Sequence, residues 1–168
     1  MKNFVKEGQK LPLYGVGPYI ILGMGAVTLL GIVFFCFVFK IGLLQAPWTV
    51  IFRTAGVVLI AAGIAVWLVS AFRSDMDDNI AANRLKTDGI YAWVRNPMYS
   101  GWWFLFAGIS FMWADLPLLI TIPAGWAIMT VALKGTEEKW LLDLYGDEYA
   151  EYMKRVNRCI PRMPKRKD

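Results

Sequence analysis

Four long apolar runs, each free of charged side chains, constrain this chain more than any other feature. The first extends from Pro18 to Phe39 and the second from Thr54 to Phe72, between Arg53 and Arg73; the third covers Met98 to Trp113 and the fourth Leu116 to Leu133. In hydrocarbon a backbone has no water to bond, so a run of about 20 apolar residues must close its hydrogen bonds within itself, as a helix. The first run is too long for the core of a signal peptide and no small-residue cleavage site follows it, so it reads as a retained helix. Composition agrees: 57% of the residues are hydrophobic and 18% charged, against about a quarter charged in ordinary soluble domains.

Ala114-Asp115 alone separates the last two runs, and Pro117 follows. These runs are therefore expected to form a tight helical hairpin, with Asp115 capping the second arm. The third run is short, roughly 24 Å of helix against a core of about 30 Å. Pro123 is expected to kink the fourth. The fold class is an all-α integral membrane protein of about four transmembrane helices, and a chain of 168 residues makes one domain. Within it, residues 1–75 supply N-terminal membrane helices and residues 76–168 the functional core.

Orientation follows from where the cations lie. Lys2, Lys6 and Lys10 precede the first run, Lys40 follows it, and Arg73, Arg84, Lys86 and Arg95 fill the second connection. The hairpin turn has none, and the C-terminal segment is rich in Lys and Arg from Lys134 to Lys167. This alternation places both termini in the cytoplasm, and with them two polar clusters: the loop Leu85–Gly101 and Thr136-Glu137-Glu138.

From Thr136 to Val156 the sequence reads as one amphipathic cytoplasmic helix. Trp140, Leu141, Leu144, Tyr145, Tyr149, Tyr152 and Val156 recur at helical spacing, Glu151 and Arg155 form an i,i+4 pair, and Gly146 weakens the middle. The tail Arg158–Asp168, with its Lys165-Arg166-Lys167 run, suits anionic lipid headgroups rather than nucleic acid, since no folded basic face accompanies it. Trp102-Trp103 reads as an interfacial aromatic belt. Short spans and exposed aromatics fit a homodimer without requiring one.

The chain contains no His, which excludes a His base, a His-held metal and the Ser/His/Asp and Cys/His arrangements. Cys36 lies in an apolar run and Cys159 in the basic tail, so neither a disulfide framework nor a metal site is expected. Asn96-Pro97 is a helix start, with Asn as N-cap and Pro at the first helical position. The amides of Met98, Tyr99 and Ser100 would then face outward as a site for a carboxylate or phosphate, reinforced by Lys86 and Arg95. Asp88-Gly89 makes a tight turn, and Tyr91, Trp93 and Tyr99 supply flat faces and hydroxyls for a nucleoside. For Glu137 and Glu138 two readings stand. Thr136 caps a helix whose first-turn acids complement its dipole, or the carboxylates accept hydrogen bonds from an ammonium or a ribose.

Taken together, Leu85–Gly101, the hairpin, Glu137-Glu138, Leu144–Tyr152 and Arg155-Val156 up to Ile160-Pro161 resemble the isoprenylcysteine carboxyl methyltransferases and their prokaryotic relatives. The likeness covers about the last half of the chain. Asn96 stands where that branch usually has His, and Asn96-Pro97-Met98-Tyr99 with Gly101 is instead similar to phosphatidylethanolamine methyltransferases. The isoprenylcysteine enzymes also carry an Arg, assigned to the substrate carboxylate, one turn before the Glu pair; Leu133 lies there in this sequence, with Lys134 beside it.

The resemblance implies S-adenosyl-L-methionine as methyl donor, touching Asn83, Arg84, Leu85, Lys86, Tyr91, Asn96, Pro97, Met98, Tyr99 and Glu137. It implies catalytic roles for Glu138, Arg95 and Lys134, and a lipid or prenylated acceptor. A carboxylate or thiolate acceptor needs no base, whereas a protonated amine needs Glu138 or Glu137. Two alternatives remain at this level. Membrane sterol reductases share a similar Arg-x-Pro-x-Tyr loop and use NADPH, and a non-enzymatic membrane module would bind a partner through the same loop.

Overall fold

In the computed structural model, residues 16–72 and 84–163 are described. Helix α1 (Gly17–Gly31) continues without a break into a π-helical stretch, Ile32–Phe39. Helix α2 is Trp48–Phe72, beginning six residues before the expected Thr54. After a 3-10 turn at Gly89–Ala92 come α3 (Pro97–Met112), a second 3-10 turn at Pro117–Ile120, α4 (Thr121–Gly135), α5 (Glu137–Tyr145) and α6 (Asp147–Arg155).

Three helical stretches among the described residues are long and apolar enough to cross a membrane: Gly17–Phe39, Trp48–Phe72 and Pro117–Tyr145. The third apolar run forms α3, whose 16 residues fall short of that length. The expected four spans thus become three by this measure, with α3 as a shorter helix packed among them.

Helices α2 and α3 lie against each other almost backbone to backbone. A Cβ added at Gly56 would sit 2.8 Å from Gly108 O, and one at Gly63 would sit 2.7 Å from Gly101 O. The glycines repeat every seven residues in both helices, so an antiparallel pair meets at matched small positions, the arrangement that drives close helix approach where lipid offers no hydrophobic contrast. Ser70, one further step along α2, is buried too. Helix α1 packs on α4 through Ile20, Met24, Met129 and Leu133.

At one end of the bundle, the connection after the π-helical stretch meets the hairpin turn. Leu44 N–H donates to Ala114 O (2.9 Å) and Leu116 N–H to Gly42 O (3.1 Å). Asp115 is fully buried there and accepts Leu118 N–H (3.2 Å), the capping role expected of it. Pro123 sits near the start of a helix rather than in the middle of the fourth run. It lies in the first turn of α4, where a missing N–H costs no intrahelical bond.

At the opposite end the expected amphipathic helix is two helices. Gly146 takes φ +53°, a backbone that breaks α5 from α6. Glu151 pairs with Lys154 (2.6 Å) instead of Arg155. Trp102 and Trp103 are half-buried against the α1–α4 core, with Trp103 Nε1 donating to Ile122 O (2.9 Å). Asn83, Arg73, the N-terminal lysines and the Lys165-Arg166-Lys167 run lie outside the described residues.

Candidate functional site

Both polar clusters fall at this second end, because α3 starts there and α4 finishes there. The start of α3 and the start of α5 are joined by two side-chain links. Tyr99 Oη donates to Glu137 Oε1 (2.5 Å), and Arg95 Nη2 lies 2.9 Å from Glu138 Oε1. The N-terminus of α1 closes over the first link: a Cβ at Gly17 would sit 3.0 Å from Tyr99 Oη.

Glu138 is the most enclosed acid of the pair, with 4% of its surface exposed. A second guanidinium, that of Arg158, grips it at two points: Nε to Oε1 (2.6 Å) and Nη2 to Oε2 (2.8 Å). Such a planar fork matches a carboxylate better than an ammonium can. Glu138 therefore stands between two cations, with both oxygens occupied. To act as a base it would have to release one of them. Arg95 Nε and Nη1, in contrast, are buried and lack hydrogen-bond partners.

Residues 156–163 are no free tail. They run as a strap across the loop before α3. Arg95 N–H donates to Asn157 O (2.9 Å), Asn96 N–H to Arg158 O (3.1 Å) and Arg162 N–H to Trp93 O (2.9 Å). Ser100 Oγ donates to Cys159 O (2.6 Å). Cys159 is buried against the α1–α4 core, and burial pushes its thiol up to about 12, with Glu138 adding to the rise and the two guanidiniums opposing it. The headgroup role expected of Arg158 is thereby corrected: its side chain turns inward.

Two expected caps are also corrected. The Asn96 side chain does not cap α3; its Nδ2 donates to Arg158 O (3.1 Å). Thr136 does not cap α5, since its hydroxyl donates back to Ala132 O (2.7 Å). The first amides of α3, on Met98 and Tyr99, are thus left without a side-chain cap, and Pro97 has none to offer.

Tyr149 and Tyr152 form the apolar wall of α6 against this cluster. The Arg95 guanidinium carbon lies 5.9 Å from the Tyr149 ring centre. Burial pushes the Tyr149 hydroxyl up to about 12 and raises that of Tyr152 as well. Tyr152 Oη donates to Tyr91 O (2.6 Å), tying the buried Tyr91 to α6.

Of the other residues expected at the site, Leu85 and Lys86 are half-buried and Lys86 Nζ pairs with Asp88 (2.9 Å). Arg84, Met98 and Lys134 are exposed. The structure brings together Arg95, Asn96, Tyr99, Glu137 and Glu138; it does not bring Lys134 or Arg84 into that cluster's bonds. The residue missed from sequence is Arg158. The clue was Cys159-Ile160, two apolar residues that interrupt an otherwise basic stretch.

A family model described as phospholipid methyltransferase matches residues 48–148. Among curated proteins, methanethiol S-methyltransferase 1 of Bradyrhizobium diazoefficiens is 37% identical over 78 residues, 46% of this chain and 26% of that protein. Protein-S-isoprenylcysteine O-methyltransferase of Schizosaccharomyces pombe is 35% identical over 82 residues, 48% of this chain and 34% of its own. The rat protein of the same name is 28% identical over 126 residues, 70% of this chain and 43% of its own. The chain thus spans between about a quarter and two-fifths of the length of these relatives. No solved structure matches.

Proposed function

The chain belongs to the phospholipid methyltransferase family, and on that premise we propose that it is a membrane enzyme moving a methyl group from S-adenosyl-L-methionine to a membrane-embedded, lipid-like acceptor. The observation that carries this is the meeting of the α3 start with Glu137 and Glu138 through Tyr99 and Arg95.

The residues fit the methyl donor. Its carboxylate suits the uncapped amides of Met98 and Tyr99, a helix end that carries partial positive charge. Its ammonium suits Glu137, a carboxylate that accepts from Tyr99 Oη and from the Val16 backbone and carries no ion pair to an Arg or Lys among the described residues. The partnerless N–H groups of Arg95 offer a second place for an oxyanion. Arg84, Leu85, Lys86 and Tyr91 border the same end, and Asn96 and Pro97 hold its backbone in place. Asn83 and Lys134 are carried over from the family resemblance alone.

The bound donor supplies an electrophilic methyl on a sulfonium, and the chain supplies alignment and exclusion of water. A thiolate or carboxylate acceptor asks for no base. A protonated amine asks for one, and Glu137 is freer for that than Glu138, whose oxygens are held by Arg158 and Arg95. The acceptor enters sideways from the bilayer, between helices, and the donor from the cytoplasmic face, where both termini lie. The named substrates of the relatives, methanethiol and isoprenylcysteine, and the phospholipids of the family's name mark the range of acceptors to screen.

Calorimetric titration of the purified chain in detergent with S-adenosylhomocysteine tests the reading. Micromolar binding is expected, weakened at least about tenfold by Glu137→Ala and less by Tyr99→Phe, in proportion to one charged or one neutral hydrogen bond. A folded sample that does not bind would refute it.

A further inference from the structure

The Glu138 cluster contains an imbalance. Two guanidiniums face one carboxylate, and Glu137 is turned away to Tyr99. Arg158 occupies both Glu138 oxygens, so Arg95 reaches only the shared Oε1, through Nη2. Arg95 Nε and Nη1 remain buried without partners, on a side chain only 5% exposed. A buried donor left unpaired is unfavourable, and a buried guanidinium more so, unless something is meant to meet it. Were Arg158 absent, Glu138 Oε2 would be free for a two-point pair with Arg95, and the fork of Arg95 would be used up.

We propose that Arg158 is a positioning residue of the methyl-transfer site: it holds Glu138 so that the Arg95 fork stays open for an oxyanion of a bound ligand. The strap is what makes this work, since its carbonyls are pinned by Arg95, Asn96 and Ser100 and fix where Arg158 starts. The oxyanion is either the carboxylate of the methyl donor or an acidic group of the acceptor, and the inference rests on the methyltransferase reading.

The test uses the full chain in detergent. S-Adenosylhomocysteine and its decarboxylated analogue are titrated against the wild type, Arg158→Gln and Arg158→Lys, with a melting curve for each. Turnover is then measured with phosphatidylethanolamine in mixed micelles. If the donor carboxylate is the ligand, the wild type prefers S-adenosylhomocysteine by about tenfold or more, and Arg158→Gln reduces that preference to about twofold. Arg158→Lys, which keeps the charge but loses the fork, recovers less than half of it.

If the acceptor is the ligand, the preference is unchanged while KM for phosphatidylethanolamine rises at least about fivefold at constant kcat. Neither change in a folded Arg158→Gln, or full recovery with Lys, overturns the inference. A wild type that binds S-adenosylhomocysteine, with variants that behave like it, leaves the methyltransferase reading standing and removes only this proposal. A wild type that binds none removes both.

Discussion

Replacing Glu138 with Gln removes one negative charge and almost nothing of the site's shape. Three charge-assisted contacts are lost or weakened, at 2.9, 2.6 and 2.8 Å. Two guanidiniums, with side chains 5% and 18% exposed, are left facing each other without a counter-charge. Removing one partner of a buried ion pair costs about 3–5 kcal/mol, and the partial exposure of Arg158 argues for the lower end, about 3 kcal/mol. For a chain of 168 residues this corresponds to a fall in melting temperature of about 6–12 °C. Far-UV circular dichroism of the detergent-purified protein measures it.

A second variant isolates the cause. Arg158→Gln in the Glu138→Gln background removes a cation that has become a liability, so it should cost much less there than in the wild type. The two substitutions should be coupled by more than about 1 kcal/mol. A Glu138→Gln shift under about 2 °C, or additivity of the two within about 0.5 kcal/mol, would show that the cluster is not the electrostatic knot described.

Two further outcomes are expected. Gly63→Ala should destabilise the chain by about 1–3 kcal/mol, because the new Cβ meets backbone at 2.7 and 2.9 Å and no flexible side chain can yield. Gly125→Ala meets only side chains at 3.6 Å or more and should be neutral or slightly stabilising; equal melting shifts for the two would contradict the close packing of α2 and α3. In a Cys36→Ala background, Cys159 should resist alkylation at pH 8. The thiolate is the reactive form, and a thiol pushed up to about 12 from 9.0 carries about a thousandfold less of it at that pH. Rapid labelling of the folded protein, timed by mass spectrometry, would show that the strap does not dock.

The apolar runs were legible because their signal is long and one-dimensional: charge-free segments, cations at the margins, a two-residue hairpin turn. The start of α3 at Pro97 was legible for a local reason, since Pro is preferred at a first helical turn. The same local logic misjudged Asn96 and Thr136. Each is a good cap by type, but a side chain that can bond one neighbour can bond another, and three-dimensional surroundings decided which. Asn96 turned to the strap, and Thr136 to the preceding turn of its own helix.

The sequence by itself determined that the chain is a set of apolar helices with two polar clusters, and it carried the pattern of the phospholipid methyltransferase family. Hydrophobic length and charge placement act along the chain, so they can be read along it. Only the tertiary structure decided that α2 and α3 meet glycine to glycine, that residues 156–163 strap across the loop before α3, and that Arg158 shares Glu138 with Arg95 across 20 and 43 residues of sequence respectively. Those are pairings between distant residues. Their energies depend on burial and geometry, quantities that exist only once the helices have packed.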